Sequence, residues 1–345
     1  MIPLATSRRR EQVAAFAARA LHHLRLLGPL SSAAAWARRR PAFQVLCYHR
    51  VNDDGDPFFP AVPTAVFEQH MAWIARTFEV LTVEALAEHL QRGTLPRHAL
   101  AITFDDGYRD TLTHAAPILA RYGLPATVFL TTGFIGGAQV PWFDRLALAF
   151  KHARAVTVAA PWGERLQLDS QAARLGALDR ALARLKRLPD QARRQAVEAL
   201  VGALGGGDLE PLKGRMLSWD DVHALMGLGF SVGAHTVTHP VLARLGPAEA
   251  RAEIEGSRRA IEAACGVRPR AFAYPNGGPG DYDQTTVALV RELGFTCAVT
   301  TRFGVNDART SPWELRRGGP WEWDLPTFAL KLAVYRAWPR AERER

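Results

Sequence analysis

The sequence predicts an α/β fold in which strand and helix units surround a mainly parallel sheet. From residue 41 onwards, short apolar runs alternate with segments of helical periodicity, and this alternation is typical of such units. Strands are predicted over residues 43–48, 100–104, 127–131, 230–233, 272–274 and 296–299. Helices are predicted over residues 66–77, 83–92, 111–122, 219–228, 248–264 and 284–293. The repetition fits an open doubly wound sheet or a barrel.

A different composition interrupts this alternation between about residues 140 and 216. The stretch is rich in Ala, Leu and Arg, and one long helical pattern extends from Ser170 to Leu204, just before consecutive glycines. We interpret it as a helical insertion that forms a lid or cap. The predicted organisation is an N-terminal arm over residues 1–40, a main domain over 41–335 that carries the insertion, and a charged tail over 336–345.

The formal charge of +9 is concentrated at one end of the 345-residue chain. Residues 1–40 contain eight Arg against one Glu, a net charge of +7, which leaves +2 for the other 305 residues. Duplex binding needs a basic stripe across a folded face, and the sequence has no helix-turn-helix, zinc-finger or aromatic RNA-binding pattern. We therefore do not expect nucleic acid as a partner.

The N-terminal arm combines its Arg residues with apolar side chains at helical spacing. Val13, Phe16, Leu21 and Leu24 belong to the apolar face, and Gly28 ends the pattern. A basic amphipathic helix can lie on an anionic membrane surface, or it can pack on the body of the protein. Both alternatives stay open at this point, and packing is the favoured one.

The sequence shows neither a membrane-spanning pattern nor a disulfide framework. No uncharged apolar stretch approaches the roughly 20 residues that cross a bilayer, and Arg19 and Arg25 interrupt the core of any signal peptide. Cys47, Cys265 and Cys297 lie far apart in apolar surroundings, which predicts free thiols. The expected location is the cytoplasm, and peripheral contact with the inner membrane is the alternative. No pattern indicates an oligomeric state.

Two adjacent carboxylates follow the predicted strand over residues 100–104. Asp105 and Asp106 stand at its C-terminal end, before Gly107. In α/β folds the C-terminal ends of strands line the ligand crevice. A divalent cation would relieve the repulsion between the two carboxylates, with one Asp as ligand and the other as general base. Taken alone, the segment also fits an Asx turn followed by a helix cap.

A pair of histidines follows another predicted strand. His235 and His239 are four positions apart, and on a helical turn such side chains project from one face and can hold one cation. An isolated pair of this kind is often a coincidence of surface residues. Together with an Asp pair at another strand end, it completes a three-ligand site that leaves positions open for water and substrate, as hydrolytic metals require.

A third predicted strand, over residues 272–274, continues into a turn. The turn contains Pro275, Asn276 and Gly277. Turns of this type can present backbone N–H groups to a developing oxyanion. Without the other two segments, the pattern indicates no more than a turn.

In this order, the three segments resemble the motifs of the polysaccharide deacetylase family, carbohydrate esterase family four, whose members share a NodB-like domain. Residues 103–107 look like its first motif, 235–239 like its second and 272–277 like its third. The resemblance extends over residues 43–303. An Asp-Asp pair followed by His-x-x-x-His is a specific combination, and chance is a poor explanation for it.

The resemblance implies a deformed (β/α) barrel that binds Zn²⁺, or another first-row ion such as Co²⁺, Ni²⁺ or Fe²⁺. The expected metal ligands are Asp106, His235 and His239. Asp105 is the expected general base for the attacking water. The expected oxyanion and substrate-binding residues are Tyr274, Pro275 and Asn276. The implied reaction removes the N-acetyl group from an N-acetylated sugar in a polysaccharide, oligosaccharide or lipid-linked glycan, and this glycan is the expected partner.

The chain departs from the family pattern at two positions. Ala273 stands where many members have an Arg that orients the base, and Arg270 and Arg317 are the candidates to replace it. The family's late Leu-x-His segment supplies the general acid, but no His follows His239 in this chain. The leaving amine still needs a proton from another source.

A candidate for the acid stands at the end of the first predicted strand. The segment Tyr48-His49-Arg50-Val51 is similar to a subgroup that modifies bacterial exopolysaccharides. On this basis we hypothesise that His49 is the general acid. The alternatives are a histidine satisfied in the core and one that helps to orient Asp105.

Two other functions compete with sugar deacetylation. One is a related amide hydrolase acting on a small molecule with the same metal, and the other is a non-catalytic carbohydrate-binding protein that retains the fold. The missing Arg and His favour the second, but the expected ligands and base are all present, which favours the deacetylase. Aromatic residues that could stack on sugars are Trp142, Phe143, Trp162, Trp313, Trp321 and Trp323.

Overall fold

Mostly parallel strands form a curled sheet at the centre of the protein in the computed structural model. The described residues are 17–21, 26, 27, 29, 33, 41–137, 139–206, 209–319 and 323–337. Strands β1 to β4 are Ala42–Tyr48, Glu79–Val80, Ala99–Phe104 and Thr127–Leu130. Strands β5 to β10 are Thr157–Ala159, Arg165–Gln167, Ser231–Ala234, Ala271–Ala273, Cys297–Val299 and Asn306–Asp307. The order in the main sheet is β10-β1-β3-β4-β7-β8-β9, with β2 beside β3.

A short segment over residues 315–318 closes the gap between the two ends of this sheet. Parallel bridges join Leu315 to Val299 in β9 and Gly318 to Leu46 in β1. The N–H groups of Leu315 and Gly318 each donate a 2.8 Å backbone hydrogen bond to these strands. The parallel strands therefore curl into a deformed barrel, which confirms the predicted fold class and selects the barrel over the open sheet.

A buried hydrophobic cluster fills the inside of this barrel. It includes Phe43 of β1, Ala101 of β3 and Phe129 of β4, which alternate along their strands with residues that face the helices. Gly233 makes room for the aromatic ring of Phe129, because a Cβ at Gly233 would lie 2.4 Å from that ring. The interior of the barrel is thus filled by side chains, and in such barrels the ligand site lies at the C-terminal mouth.

Helices cover the outside of the sheet. Helices α1 to α5 are Thr64–Thr77, Val83–Arg92, Ala116–Arg121, Trp142–His152 and Gln171–Leu185. Helices α6 to α10 are Asp190–Ala203, Trp219–Gly227, Pro247–Cys265, Gln284–Glu292 and Leu325–Ala337. The largest buried cluster lies between them and the outward faces of the strands, with Tyr48, Phe104 and Phe272 among its members. No described helix is both long and apolar enough to cross a bilayer.

The predicted strands match β1, β3, β4, β7, β8 and β9 to within one residue at each end. One helix prediction is wrong, because the pattern over residues 170–204 forms two helices, α5 and α6. Pro189 immediately precedes α6, and a proline has no N–H to continue the hydrogen bonds of a preceding helix. The predicted helix over residues 111–122 begins with a π-helical turn, Thr111–Ala115.

The insertion has a hydrophobic cluster of its own. Helices α4, α5 and α6 contribute most of it, with Phe150, Leu185 and Leu200 fully buried. Phe58 and Phe59, from the loop after β1, join the same cluster. The helices of the insertion are therefore anchored to the domain by side-chain packing as well as by the chain connections.

The few described residues of the N-terminal arm lie against the body of the protein. Ala18 and Leu27 are buried, Leu21 packs on the main cluster, and the Arg19 guanidinium is 3.7 Å from Asp324. These contacts agree with the packing alternative for those residues. Most of the arm, and the charged tail beyond residue 337, lie outside the described residues, and membrane contact stays a prediction.

Candidate active site

Three predicted metal ligands meet at the C-terminal mouth of the barrel. The Nε2 atoms of His235 and His239 lie 3.5 and 3.4 Å from Oδ1 of Asp106. Ligands that bind one zinc ion tetrahedrally, at about 2.0 Å each, are separated by about 3.3 Å. The three side chains are buried, and Asp106 Oδ1 has no hydrogen-bond partner among the described residues. Because an unpaired buried carboxylate oxygen is costly, the triangle fits a divalent cation.

The backbone around these ligands is in an unusual conformation. Asp106, Thr236, His239 and Asn276 have φ angles of 73°, 66°, 57° and 60°. The left-handed region is uncommon for any residue with a side chain and is a genuine outlier for a β-branched Thr. All four residues follow the C-terminal ends of β3, β7 and β8, so the strain is confined to the mouth of the barrel.

The two histidines do not belong to a helical turn, and the predicted i, i+4 geometry is wrong. Both lie in the loop after β7, where Thr236 and His239 turn left-handed and bring the two rings to a centroid distance of 4.8 Å. The hydroxyl oxygen of Thr236 accepts a 3.1 Å hydrogen bond from the His239 N–H, which stabilises the turn. The two histidines, four positions apart in sequence, are therefore brought together by a loop and not by a helical turn.

A carboxylate from α8 holds the same loop from outside. Glu253 accepts hydrogen bonds from the N–H groups of Val237 and Thr238 at 2.8 and 2.9 Å, and from the Thr238 hydroxyl at 2.7 Å. On the opposite side, the Gly133 N–H donates to the Val237 carbonyl, where a Cβ on Gly133 would come within 2.6 Å. The sequence analysis did not predict the contacts of Glu253 and Gly133 with this loop, because no local sequence pattern indicates them.

The protonation states of Asp106, His235 and His239 favour a cation between these three side chains. Burial lowers the pKa of His239 to about 3, which keeps its ring neutral at pH 7. His235 donates from Nδ1 to the Ala273 carbonyl at 2.7 Å, which directs Nε2 towards Asp106. Burial alone would lower the pKa of His235, but the Asp106 and Asp105 carboxylates raise it. A positive charge is thus stabilised at this point, either as a proton on His235 or as a metal ion.

Asp105 is held by a buried arginine. The Nη1 and Nη2 atoms of Arg317 donate to the two carboxylate oxygens of Asp105 at 2.7 Å each. The Arg317 side chain also donates to the Thr300 carbonyl at 2.8 Å and to the Thr103 hydroxyl at 3.2 Å. Burial opposes ionisation of Asp105, but the Arg317 guanidinium outweighs it and holds the pKa of this carboxyl below its usual range.

Of the two arginines considered as substitutes at Ala273, the structure brings only Arg317 to Asp105. It comes from the segment over residues 315–318 that closes the barrel. Arg270 is half exposed and pairs with Glu88 instead. No motif in the sequence distinguishes the two, because Arg317 reaches the site only through the barrel closure.

His49 lies at the edge of the site. One of its ring nitrogens, a carboxylate oxygen of Asp105 and the Cys47 sulfur lie within 4.8 Å of one another. The His49 side chain is exposed, which excludes a histidine satisfied in the core. Cys47 is a free thiol 3.6 Å from Asp105, and burial raises its pKa, so it remains protonated.

The turn after β8 contains the three residues that are predicted to bind the oxyanion and the substrate. The Tyr274 side chain is buried, stacks on Tyr282 and donates to the Trp313 carbonyl at 3.0 Å, and its N–H donates to Val299. Pro275 has no N–H to offer. Within the described part of the chain, the Asn276 N–H has no acceptor and its side-chain Nδ2 is a buried donor without a partner. Of the predicted oxyanion and substrate-binding residues Tyr274, Pro275 and Asn276, Asn276 therefore has donors available for an oxyanion, and its role stays a prediction.

Helix α4 of the insertion contacts His239, one of the predicted metal ligands. The Trp142 Nε1 lies 3.4 Å from the His239 carbonyl, and the Phe143 ring meets the His239 ring edge to face at 5.2 Å. Asp144 accepts a 3.0 Å hydrogen bond from the Tyr108 hydroxyl, and burial raises the pKa of Asp144 to about 7. The insertion is thus part of the wall around His239, which the prediction of a lid or cap did not anticipate.

This arrangement of barrel and buried carboxylate-histidine triangle defines the class to which the protein belongs. The model of the polysaccharide deacetylase family matches residues 92–298, more than half of the chain. The chain therefore belongs to the polysaccharide deacetylase family.

Individual relatives agree with this membership. The protein YxkH of Bacillus subtilis (strain 168) is 34% identical over 106 residues, 30% of this chain and 37% of the relative. A poly-beta-1,6-N-acetyl-D-glucosamine N-deacetylase of Staphylococcus aureus (strain MSSA476) is 31% identical over 77 residues, 22% of this chain and 27% of the relative. The chain spans only about a third of the length of the curated relatives that it matches.

Solved structures share the fold over most of the chain. The deacetylase PplD of Streptococcus pyogenes, in complex with acetate, has a TM-score of 0.56 at 19% identity and covers 81% of this chain and 92% of its own. IcaB from Ammonifex degensii has a TM-score of 0.56 at 21% identity and covers 85% and 97%. At these identities the likeness confirms the deformed barrel.

Proposed function

We propose that the protein hydrolyses the N-acetyl group of an N-acetylated sugar within a glycan. The observation that carries this proposal is the Asp106–His235–His239 triangle beside a second carboxylate, Asp105, that is fixed by Arg317. Family membership supports an amide of an acetylated sugar as the bond attacked. The Staphylococcus aureus relative, named for poly-beta-1,6-N-acetyl-D-glucosamine, supports a glucosamine polymer as the first substrate to test.

Asp106, His235 and His239 would hold the metal ion, which we propose to be Zn²⁺. When bound, the ion polarises the amide carbonyl and makes water acidic enough to attack at neutral pH. Two imidazoles and one carboxylate also accept Co²⁺, Ni²⁺ or Fe²⁺. The unpaired Asp106 oxygen and the neutral His239 ring support this assignment.

Asp105 acts as the general base. Arg317 donates one hydrogen bond to each of its oxygens, which keeps Asp105 ionised and fixes the direction of its carboxylate. Oδ2 also accepts from the Cys47 thiol at 3.6 Å, whereas Oδ1 accepts from Arg317 alone among the described residues. Oδ1 therefore retains a second lone pair, with which it can accept a proton from the attacking water. The Asn276 N–H donates to the substrate oxygen as negative charge develops on it.

His49 is the proposed general acid for the leaving amine. Its exposed ring lies within 4.8 Å of the Asp105 carboxylate, so it can face the nitrogen of a substrate amide held at the metal site. The remaining alternative, that His49 only orients Asp105, is less supported, since Arg317 already fixes both oxygens.

The proposed activity is tested by acetate release from N-acetylglucosamine oligomers with protein reconstituted with Zn²⁺. We expect release with the wild-type protein and loss of release after chelation, with recovery when the metal is returned. Bound metal without acetate release from any acetylated sugar would favour a small-amide hydrolase or a carbohydrate-binding protein.

The His239→Ala variant is expected to lose the metal and at least about a hundredfold in kcat/KM, since a ligand of the cation is removed. Metal content per chain is measured by mass spectrometry after dialysis. His223→Ala, at an exposed position on α7, is the matched control and should retain both metal and activity. Full metal content in His239→Ala would contradict the assigned ligand set.

The His49→Asn variant is expected to reduce kcat about a hundredfold or more with unchanged metal content, since the leaving amine loses its proton donor. A substrate with a better leaving group, such as an activated aryl acetamide, should lose much less. Equal losses on both substrates would mean that His49 serves Asp105 and does not protonate the amine, and unchanged turnover would eliminate the role altogether.

A further inference from the structure

Among the described residues, a second group of metal-binding side chains lies outside the carboxylate-histidine triangle. The Cys47 sulfur, a ring nitrogen of His49 and a carboxylate oxygen of Asp105 lie within 4.8 Å of one another. Thiolate, imidazole and carboxylate are the side-chain ligands that bind Zn²⁺ in proteins. The proposed reaction makes no use of the Cys47 thiol, whereas a metal site at this point would use it.

The distance between Cys47 and Asp105 is close to the one that a shared zinc ion requires. The Cys47 Sγ lies 3.6 Å from Asp105 Oδ2, and the thiol donates a hydrogen bond along this line. A tetrahedral ion with a Zn–S distance of about 2.3 Å and a Zn–O distance of about 2.0 Å separates the two ligand atoms by about 3.5 Å. An ion that replaces the thiol proton would therefore fit between the two side chains as they stand.

His49 is placed to complete this site. Cys47 belongs to β1 and His49 follows the end of that strand, so the two side chains are two positions apart and point to the same face. The His49 ring is exposed, and a change of rotamer can bring its nitrogen to the separation of about 3.3–3.5 Å that tetrahedral ligands have. Both residues line an open cleft, through which an ion and a water as fourth ligand can enter.

The charges around the group permit a divalent cation. Burial raises the pKa of the Cys47 thiol, although the nearby Arg317 guanidinium opposes this effect. A coordinated thiol loses its proton, so one proton passes to the solvent for each ion bound. The thiolate and the Asp105 carboxylate then supply two negative charges against the one positive charge of Arg317. Because the His239 ring of the triangle is already neutral, we expect the triangle to fill before this group does.

We propose that Cys47, His49 and Asp105 form a second metal site, which takes a thiophilic ion such as Zn²⁺ in excess and inhibits the enzyme. Binding of the ion does not depend on the proposed function. The inhibition rests on it, because the ion would lower the basicity of Asp105 and bind the ring nitrogen with which His49 would protonate the amine. The thiolate selects Zn²⁺ over Mg²⁺, which prefers oxygen ligands.

The binding test is a titration of metal-free protein with Co²⁺, monitored by absorption. A bond between Co²⁺ and a thiolate gives a charge-transfer band in the near ultraviolet, whereas two imidazoles and a carboxylate do not. We expect the band to appear with the second equivalent of Co²⁺. The Cys47→Ser variant should lose the band and still bind the first equivalent. Cys265→Ser, which changes a partly buried free thiol at the end of α8, is the matched control and should keep the band.

The functional test is acetate release at increasing Zn²⁺ concentration, with each variant compared with its own maximum. Wild-type release should rise with the first equivalent and then fall at least about tenfold in excess Zn²⁺, since general acid–base catalysis contributes about 10²–10⁴-fold. Release by Cys47→Ser should fall less than about twofold, because the thiolate ligand is missing. Excess Mg²⁺ should not inhibit the wild-type protein.

Three results would overturn the proposal. They are a wild-type titration without the band, an undiminished band in Cys47→Ser, and inhibition by excess Zn²⁺ that is as strong in Cys47→Ser as in the wild type. If circular dichroism shows that Cys47→Ser is unfolded, Cys47→Ala takes its place in both tests. If the wild-type protein releases no acetate from any acetylated sugar, the proposed function fails, and the band and its loss in Cys47→Ser decide whether the second metal site exists.

Discussion

Replacement of Asp105 by Asn is expected to lower kcat for acetate release about a thousandfold, while the protein keeps its metal. General-base catalysis contributes about 10²–10⁴-fold in rate, and an amide cannot accept the proton of the attacking water. Asp105 lies outside the Asp106–His235–His239 triangle, so its carboxylate is not needed to hold the ion. Acetate release and metal content are measured on the same sample.

The neighbouring carboxylate provides the matched control. Asp106→Asn should lose both metal and activity, since it removes the charged ligand of the triangle. The two variants change adjacent residues by the same few atoms, so a general effect of lost charge would appear in both. If Asp105→Asn released the metal as Asp106→Asn does, or kept its rate, the division of labour between the two carboxylates would be wrong.

The Arg317→Met variant is expected to destabilise the protein by about 3–5 kcal/mol. Asp105 is 2% exposed, and without Arg317 it would remain as a buried charge that has lost both of its guanidinium hydrogen bonds. The free energy of unfolding is obtained from urea titrations monitored by circular dichroism. Activity should fall as well, because nothing else fixes both oxygens of Asp105.

Two further variants make this result specific. Arg270→Met breaks a half-exposed ion pair with Glu88 and should cost less than about 1 kcal/mol. The double variant Arg317→Met/Asp105→Asn should recover part of the lost stability, since the uncompensated charge is removed with its partner. If Arg317→Met lowered the free energy of unfolding no more than Arg270→Met does, the buried Arg317–Asp105 pair would not contribute to stability as its geometry implies.

The elements around the ligands could be predicted because they obey local rules. The strands that precede Asp105, His235 and Tyr274 are short runs of mainly apolar residues, as expected for parallel strands covered on both faces. The C-terminal ends of parallel strands meet at one mouth of the barrel. The proximity of the carboxylates to the histidines could therefore be predicted from their positions at the ends of these strands.

Features that depend on the closed barrel could not be predicted. The left-handed Thr236 turn contradicts the conformational preference of its residue type, so a helical interpretation of the histidine spacing was the natural error. Arg317 is separated from Asp105 by 212 positions, and no spacing rule connects them. Phe143 and Asp144 belong to the insertion, whose sequence pattern indicates only helices, and their contact with the site follows from how these helices dock.

The barrel closure has a practical consequence for anyone who shortens this protein. The family match ends at residue 298 and begins at residue 92, so a fragment cut at those boundaries would lack both β1 and the segment over residues 315–318. Such a fragment would retain every residue of the Asp-Asp and His-x-x-x-His motifs. It would nevertheless expose two unsatisfied strand edges, a hazard for aggregation, and would lose His49 together with the counter-charge of Asp105. Recombinant fragments should therefore extend at least from Ala42 to Gly318.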